Sequence, residues 1–273
     1  MKYTVYVLLP AELVLAVCLG AGVPVPAPVL AAAEAAAALL LLANGVAFLR
    51  LRRRGLTARA ALRRLVPEPA RRLVGHELRL LGSLGRWIAR RPDRGGPGAV
   101  PFPHARDQAP LMYGFAFVCV VETVGMSYLL AEWPVPHAVF LVLDVYTVLF
   151  VLGLHAASAT RPHLLTADAL RVRQAAHTDV RIPLDRISAV RHESLFSHEK
   201  ADGELNLAVG SQTSLTLELT GPVDAPRLLG APRQVRTVRL HADDPRALFQ
   251  ALAQSVTRAR TAPSPVPDPP ASA

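Results

Sequence analysis

The chain has 273 residues, a formal net charge of +9 and a hydrophobic content of 51%. Its mean hydropathy of +0.29 is high for a soluble protein of this length. The composition therefore excludes an ordinary soluble protein and makes an integral membrane protein the first hypothesis.

Four apolar runs are each long enough to cross a bilayer, since about 20 helical residues span a hydrocarbon layer of roughly 30 Å. They lie at about 4–22, 28–49, 110–132 and 136–157. Buried core helices are the alternative, but four such runs in one small chain favour a bundle of four transmembrane helices. The first run could also be a cleaved signal peptide, although Pro10 and Glu12 are unusual in one.

The segment between the second and third runs is strongly basic. Residues 50–109 contain 15 arginines and four acidic residues, a net charge of +11, so the rest of the chain sums to −2. Basic loops of this kind stay on the cytoplasmic side of a membrane. We therefore expect a multi-pass protein of the plasma membrane with both termini in the cytoplasm.

An amphipathic helix is predicted within the basic segment. At 100° per residue, one arc holds Arg72, His76, Arg79, Ser83, Arg86 and Arg90, and the other side holds Leu73, Leu80, Leu84, Trp87 and Ile88. This pattern is typical of a helix among lipid head groups, so we expect contact with anionic lipid. Nucleic acid is the rival partner, but a loop joined to the membrane at both ends already lies beside lipid phosphate. An irregular connector is predicted at 91–110.

Each predicted span contains one acidic residue: Glu12, Glu34, Glu122 and Asp144. An unpaired charge near mid-bilayer costs about 2.5–3.5 kcal/mol, so such side chains usually face the bundle interior. A rise of 1.5 Å per residue places the four at roughly 11 to 21 Å above the inner boundary. They could form one cluster that binds a cation or passes protons. Alternatively, each is protonated and hydrogen-bonds between helices. In either case, we expect Glu122 and Asp144 to approach each other.

The region 158–260 predicts an α+β domain. Period-two alternation predicts antiparallel strands at 169–174, 179–184, 187–192, 204–210, 214–220 and 235–242. A helix at 245–260 follows, with Asp244 as its N-cap and Leu248, Leu252 and Val256 as its apolar stripe. The predicted order is a hairpin at 1–49, a basic loop at 50–109, a hairpin at 110–157, the domain at 158–260 and a disordered Pro-rich tail at 261–273.

Two stretches of this domain carry a family resemblance. "LTADALRVRQAAHTDVRIPLDRISAV" resembles the opening strands of a bacterial pleckstrin-homology-like domain, and "RLHADDPRALFQALAQ" resembles its last strand and capping helix. The resemblance covers about 160–258 and implies an antiparallel barrel or sandwich closed by a C-terminal helix. The whole arrangement is similar to multi-pass membrane proteins of high-GC actinobacteria, which implies the plasma membrane but no activity.

Few residues suggest chemistry. The sequence contains no GxSxG, Walker-type, HExxH or EF-hand pattern. Ser211 and Ser214 fit a polar turn, and His192 and His198 have no second pair of ligands. The first hairpin loop, "QAAHTD", lacks the basic residues with which eukaryotic pleckstrin domains bind phosphoinositides. We therefore expect no enzyme and no cofactor.

Two classes of function follow from these features. In the first, the chain is a non-enzymatic membrane protein whose pleckstrin-like domain is an interaction or regulatory module for a protein partner or for its own chain. In the second, it is a small transporter, or a cation- or proton-binding protein, that uses the intramembrane carboxylates. Four spans make a thin pathway, so the second class would favour an oligomer.

Overall fold

The computed structural model describes residues 26–197, 201–228 and 230–261. The predicted first span at 4–22, with Glu12, and the predicted tail beyond residue 261 lie outside them. The chain divides into two compact units. Unit 1 contains the described residues up to Leu78 and Phe115–Val151, and unit 2 contains Arg79–Gly114 and the described residues from Leu152 onward.

Six α-helices occur in the described residues. They are α1 (Ala27–Arg53), α2 (Ala58–Leu65), α3 (Glu68–Ile88), α4 (Ala109–Leu129), α5 (Pro134–Thr160) and α6 (Pro245–Thr261). Three of them, α1, α4 and α5, are long and apolar enough to cross a membrane. The predicted spans at 28–49, 110–132 and 136–157 are therefore confirmed as helices of membrane-spanning length and composition.

Local sequence explains these helices and where they begin and end. Helix α1 is rich in Ala and Leu, the best helix formers, and its last turn carries Arg50, Arg52 and Arg53, which complement the helix dipole. Helix α5 begins with Pro134, whose missing N–H costs nothing in a first turn. Large apolar side chains on these helices are exposed, for example Leu41 at 73% and Phe117 at 68%. Such surfaces match lipid better than water.

Eight strands in the described residues form two sheets. They are β1 (Val100–Phe102), β2 (His163–Leu165), β3 (Ala169–Gln174), β4 (Thr178–Pro183), β5 (Ile187–Leu195), β6 (Glu204–Leu207), β7 (Thr213–Ala225) and β8 (Arg233–Leu240). The first sheet has the order β1-β2-β3-β4 and is antiparallel throughout. The second has the order β5-β7-β8-β6, in which β6 runs parallel to β8. The described strands therefore form two separate sheets rather than one closed barrel.

The six predicted strands are confirmed as β3 to β8, but two details of the prediction were wrong. The pair β6–β8 is parallel, because alternation reveals which side chains share a face and not the direction of the partner strand. The predicted irregular connector contains β1, which pairs with β2. Both of these strands have three residues, too few for alternation to be recognised.

The core of the β-domain lies between its sheets and α6. Leu248 and Leu252 on α6 are fully buried, and Val256 is nearly so. The carboxylate of Asp244 accepts a hydrogen bond from the Ala247 N–H at 3.0 Å, which confirms the predicted N-cap. The sheets contribute the remaining apolar residues, including Leu170, Val172, Ile182, Leu215, Leu217, Val238 and Leu240.

Candidate functional site

Three of the four acidic residues of the predicted spans lie in the described part of the chain. Glu34 and Glu122 are exposed on α1 and α4, and Asp144 on α5 is half-buried. The Oδ2 atom of Asp144 is shielded from solvent and has no hydrogen-bond partner among the described residues. In this part of the chain, no group of three or more His, Cys, Asp or Glu side chains is arranged to hold a metal. The approach of Glu122 to Asp144 stays a prediction.

Helix α3 has three faces rather than the two expected. One face is buried and carries His76, Leu80 and Ser83. A second face carries Arg72, Arg79 and Arg86. The third is an exposed apolar stripe of Val74, Leu78, Leu81 and Ile88. The expectation was wrong in two respects: Leu80 is buried instead of joining the exposed stripe, and His76 and Ser83 are buried although they share the arginine arc.

The burial of this face of α3 comes from contacts that its second half makes within unit 2. Gly153 of α5 leaves room for Leu80, since a Cβ atom at Gly153 would lie only 3.4 Å from the Leu80 Cβ. The Trp87 ring meets the His155 ring edge-on, with centroids 5.8 Å apart. The Tyr113 hydroxyl lies 3.2 Å from His155 Nε2. The second half of α3, the start of α4 and the end of α5 thus pack together.

Helix α3 ends at Ile88, two residues before the predicted end at Arg90. The Arg91 N–H donates to the Arg86 carbonyl at 2.8 Å, and the Arg90 N–H donates to the Trp87 carbonyl at 3.0 Å. These two bonds form a Schellman motif, which places Arg90 at the position that is usually glycine. Arg90 accordingly has a left-handed backbone, with φ of 53°.

A basic groove of about 560 Å³ opens beside this helix end. It is lined by Arg86, Trp87, Ile88, Arg90, Arg91, Pro92, Ala159 and Thr160. The Arg86 guanidinium donates to the Ser83 hydroxyl at 3.2 Å. In the described part of the chain, none of the three arginines forms an ion pair with a carboxylate. The groove therefore combines three arginines that lack an ion-paired carboxylate with apolar walls.

Asp93, which follows the groove, connects three parts of unit 2. Its N–H donates to the Thr160 carbonyl at 2.8 Å. Its carboxylate accepts from the Gly95 N–H at 3.0 Å and from Arg173 Nη1 at 2.7 Å. Burial alone would raise the pKa of Asp93, but the Gly95 and Arg173 hydrogen bonds outweigh it, so the pKa lies below its ordinary value. Arg173 itself is almost completely buried, with its side chain 2% exposed.

Only two residues join α5, the last helix of membrane-spanning length in the described residues, to the β-domain. Helix α5 ends at Thr160 and β2 begins at His163. Within this link, Arg161 donates to the Ala175 carbonyl at 2.8 Å and to the Asp179 carboxylate at 3.0 Å. Arg171 also holds Asp179 through two hydrogen bonds of 2.6 and 2.8 Å. The link is therefore fastened to the first sheet.

A cluster of buried histidines lies beneath this link. The rings of His104 and His163 are stacked with centroids 4.3 Å apart. His163 Nδ1 accepts from the Arg173 N–H at 3.0 Å, so Nε2 carries the proton that it donates to the His241 carbonyl at 2.9 Å. Burial, with the charge of Arg173 adding to it, lowers the pKa of His163 to about 4 despite the bond to His241. Burial also lowers the pKa of His104 well below its ordinary value.

Sequence patterns identified part of this region. They identified Arg86 and Arg90 through their helical spacing, but not the histidine cluster, whose members are scattered between residues 104 and 241. His104 and His163, which burial keeps neutral, and the paired residues Arg161 and Arg173 form a structural joint. Comparison of the chain with protein-family models, with curated proteins and with solved structures finds no match.

Proposed function

We propose that the chain is a non-enzymatic, multi-pass plasma-membrane protein whose C-terminal β-domain is an interaction or regulatory module fixed to the membrane. The observation that carries this proposal is the two-residue connection from α5 to β2, held by Arg161 and by the bond between Asp93 and Arg173. A flexible tether would need none of these bonds. A fixed connection holds the module against the end of α5.

The proposal includes the pleckstrin-like character of the module and its cytoplasmic location. Two sheets with a helix packed on their apolar side support the first. The excess of arginine in residues 50–109 supports the second. The location can be tested at Gly96, where a Cβ atom meets nothing within 4 Å and φ is ordinary. A Gly96→Cys protein should resist a membrane-impermeant maleimide in intact cells and react after lysis, whereas labelling of intact cells would reverse the topology.

The second sheet offers a surface for a protein partner. Strand β5 lies at the edge of this sheet, and edge strands present unpaired N–H and C=O groups that can add an extended peptide. The Arg260 guanidinium donates hydrogen bonds to the first two carbonyls of β5, those of Ile187 and Ser188. Phe196, just beyond the strand, is 69% exposed. We therefore place the interaction surface along the second half of β5 and Phe196.

Site-specific photocrosslinking tests this role in cells. A photoreactive phenylalanine analogue at Phe196 should give a discrete protein adduct, because this exposed side chain directly follows the edge strand β5. The same analogue at the exposed residue Arg246 on α6 is the matched control and should give none. Failure to form an adduct at Phe196, or equal adducts at both positions, would contradict the proposed surface.

A cation- or proton-binding membrane protein is the second candidate function. The shielded and unpartnered Oδ2 atom of Asp144 favours it, because such an atom needs a proton or a cation. This function would use Asp144 together with Glu122, and it predicts that stability in detergent depends on pH and on cations through these residues.

A further inference from the structure

We infer that the groove at the end of α3 binds the phosphate group of an anionic membrane lipid. The inference rests on the proposed placement of the chain in a membrane and identifies a site and a ligand class within it. Three features of the groove support it: its charge, its backbone and its apolar walls.

The charge of the groove suits a phosphate. Arg86, Arg90 and Arg91 line it together. Within the described residues none of them forms an ion pair with a carboxylate, although the charge of Arg86 acts on the carboxylate of Asp93. The nearest acidic side chain along the chain, Asp93, is bonded to Arg173 instead. Guanidinium groups bind phosphate oxygens through paired, charge-assisted hydrogen bonds. Three of them around one groove would hold a single anionic group from more than one side.

The backbone of Arg90 indicates that this arginine is not there for folding alone. A side chain at the left-handed position of a Schellman motif is disfavoured relative to glycine. Arg90 occupies that position with φ of 53°. A cation near a helix C-terminus gains some energy from the helix dipole, but Arg86 in the same last turn already supplies one. Strained positions of this kind occur preferentially at binding sites.

The apolar walls suit a lipid better than a soluble phosphate. The apolar lining residues are Trp87, Ile88, Pro92 and Ala159, and Ala159 belongs to the end of α5, a helix of membrane-spanning length. Ile88 is 71% exposed and continues the exposed stripe of α3 beyond Leu81. Tryptophan and arginine together favour the boundary between head groups and acyl chains. A ligand with a phosphate and an adjoining acyl chain would satisfy both the charge and the walls.

Tryptophan fluorescence provides a local probe. The chain has two tryptophans, so Trp133→Phe leaves Trp87 in the groove wall as the sole emitter. The full chain would be placed in phosphatidylcholine nanodiscs that contain the same minor fraction of phosphatidylglycerol throughout. Bromine, which quenches tryptophan at short range, would be carried on the acyl chains of either the phosphatidylglycerol or an equal amount of the phosphatidylcholine. The ratio of the two quenching efficiencies measures the preference of the groove for anionic lipid.

We expect brominated phosphatidylglycerol to quench Trp87 more strongly than brominated phosphatidylcholine. Arg90→Gln and Arg91→Gln should each lower this preference, by up to about fivefold per arginine. Arg94→Gln removes the same charge from an exposed neighbour outside the groove and should leave it unchanged. Arg90→Gly should lower the preference as much as Arg90→Gln does while its melting temperature stays equal or rises, which separates lost binding from lost folding.

Three outcomes would overturn the inference. They are equal quenching by both lipids in the parent protein, equal effects of Arg94→Gln and Arg90→Gln, and loss of the preference on adding inorganic phosphate but not chloride of equal ionic strength. The last would assign the groove to free phosphate. The adduct at Phe196 does not depend on the groove, so its persistence in Arg90→Gln would show that only this inference had failed.

Discussion

The bond between Asp93 and Arg173 offers the sharpest test of how the β-domain is held. Asp93→Asn keeps the size of the side chain and an oxygen that can still accept from the Gly95 N–H, but it removes the negative charge. The Arg173 guanidinium is then left buried without a counter-charge, and its Nε and Nη2 atoms already have no partner in the described part of the chain.

The exposure of the two side chains gives the expected loss of folding free energy in Asp93→Asn. Removing one partner of a fully buried ion pair costs roughly 3–5 kcal/mol. Arg173 is 2% exposed but Asp93 is 38% exposed, so solvent screens the pair and the loss falls to about 2 kcal/mol. In a folded unit of this size that corresponds to a fall in melting temperature of about 4–8 °C. Arg173→Met removes the buried charge itself and should cost less.

Thermal unfolding of the full chain in nanodiscs measures these differences, with both single variants and the double variant forming a cycle. The pH dependence adds a second readout. Because the pKa of Asp93 is lowered in the folded chain, its contribution is complete above its unfolded value near 4 and is lost as the pH falls through the folded value. In Asp93→Asn, this contribution to the pH dependence of stability should be absent. A milder effect for Asp93→Asn than for Arg173→Met would refute the role assigned to the buried guanidinium.

Three further expectations follow. In the folded chain the pKa of His163 is about 4, so the free energy of unfolding should fall between pH 6.5 and 4 as His163 of the unfolded chain takes up a proton. His163→Gln should make that fall shallower in a pH series of melting curves. An unchanged slope would contradict this expectation. Leu252→Asp should unfold the β-domain by circular dichroism, whereas Leu252→Met should cost less than about 1.5 kcal/mol. If Asp144 and Glu122 share a proton or a cation, Asp144→Asn and Glu122→Gln should each abolish the pH and divalent-metal dependence of stability in detergent; responses identical to the parent protein would leave these acids as packing residues.

Sequence patterns predicted the parts of this fold whose signals are local. Alternation located β3 to β8, and the step from Asp244 to Pro245 located the start of α6, because these signals extend over several adjacent residues. Strands β1 and β2 have only three residues each and depend on pairing with each other across the intervening helices. That pairing makes the connector after α3 part of the β-domain, which no local pattern could indicate.

In the candidate site, too, sequence patterns predicted the features with local signals and missed those that depend on distant residues. Helical spacing identified Arg86 and Arg90, but the opposite wall of the groove comes from Ala159 and Thr160, about 70 residues further along the chain. The left-handed backbone of Arg90 could not be predicted either, because an arginine after a helix does not indicate the glycine-like conformation. Leu80, rather than its neighbour Leu81, packs against Gly153, a contact that can be identified only once the helices are packed.

Hydrogen exchange of the full chain in nanodiscs tests most directly whether the β-domain is fixed to the end of α5. The peptide that covers Thr160 to Leu165 contains the link and β2, and β3 serves as the internal reference. Pro162 has no amide hydrogen, so this peptide reports on Arg161 and on the three residues of β2. If the connection is held as proposed, these amides exchange about as slowly as those of β3, and Asp93→Asn accelerates their exchange more than that of β3. Exchange of these amides at the rate of an unstructured peptide, with β3 still protected, would contradict the fixed connection.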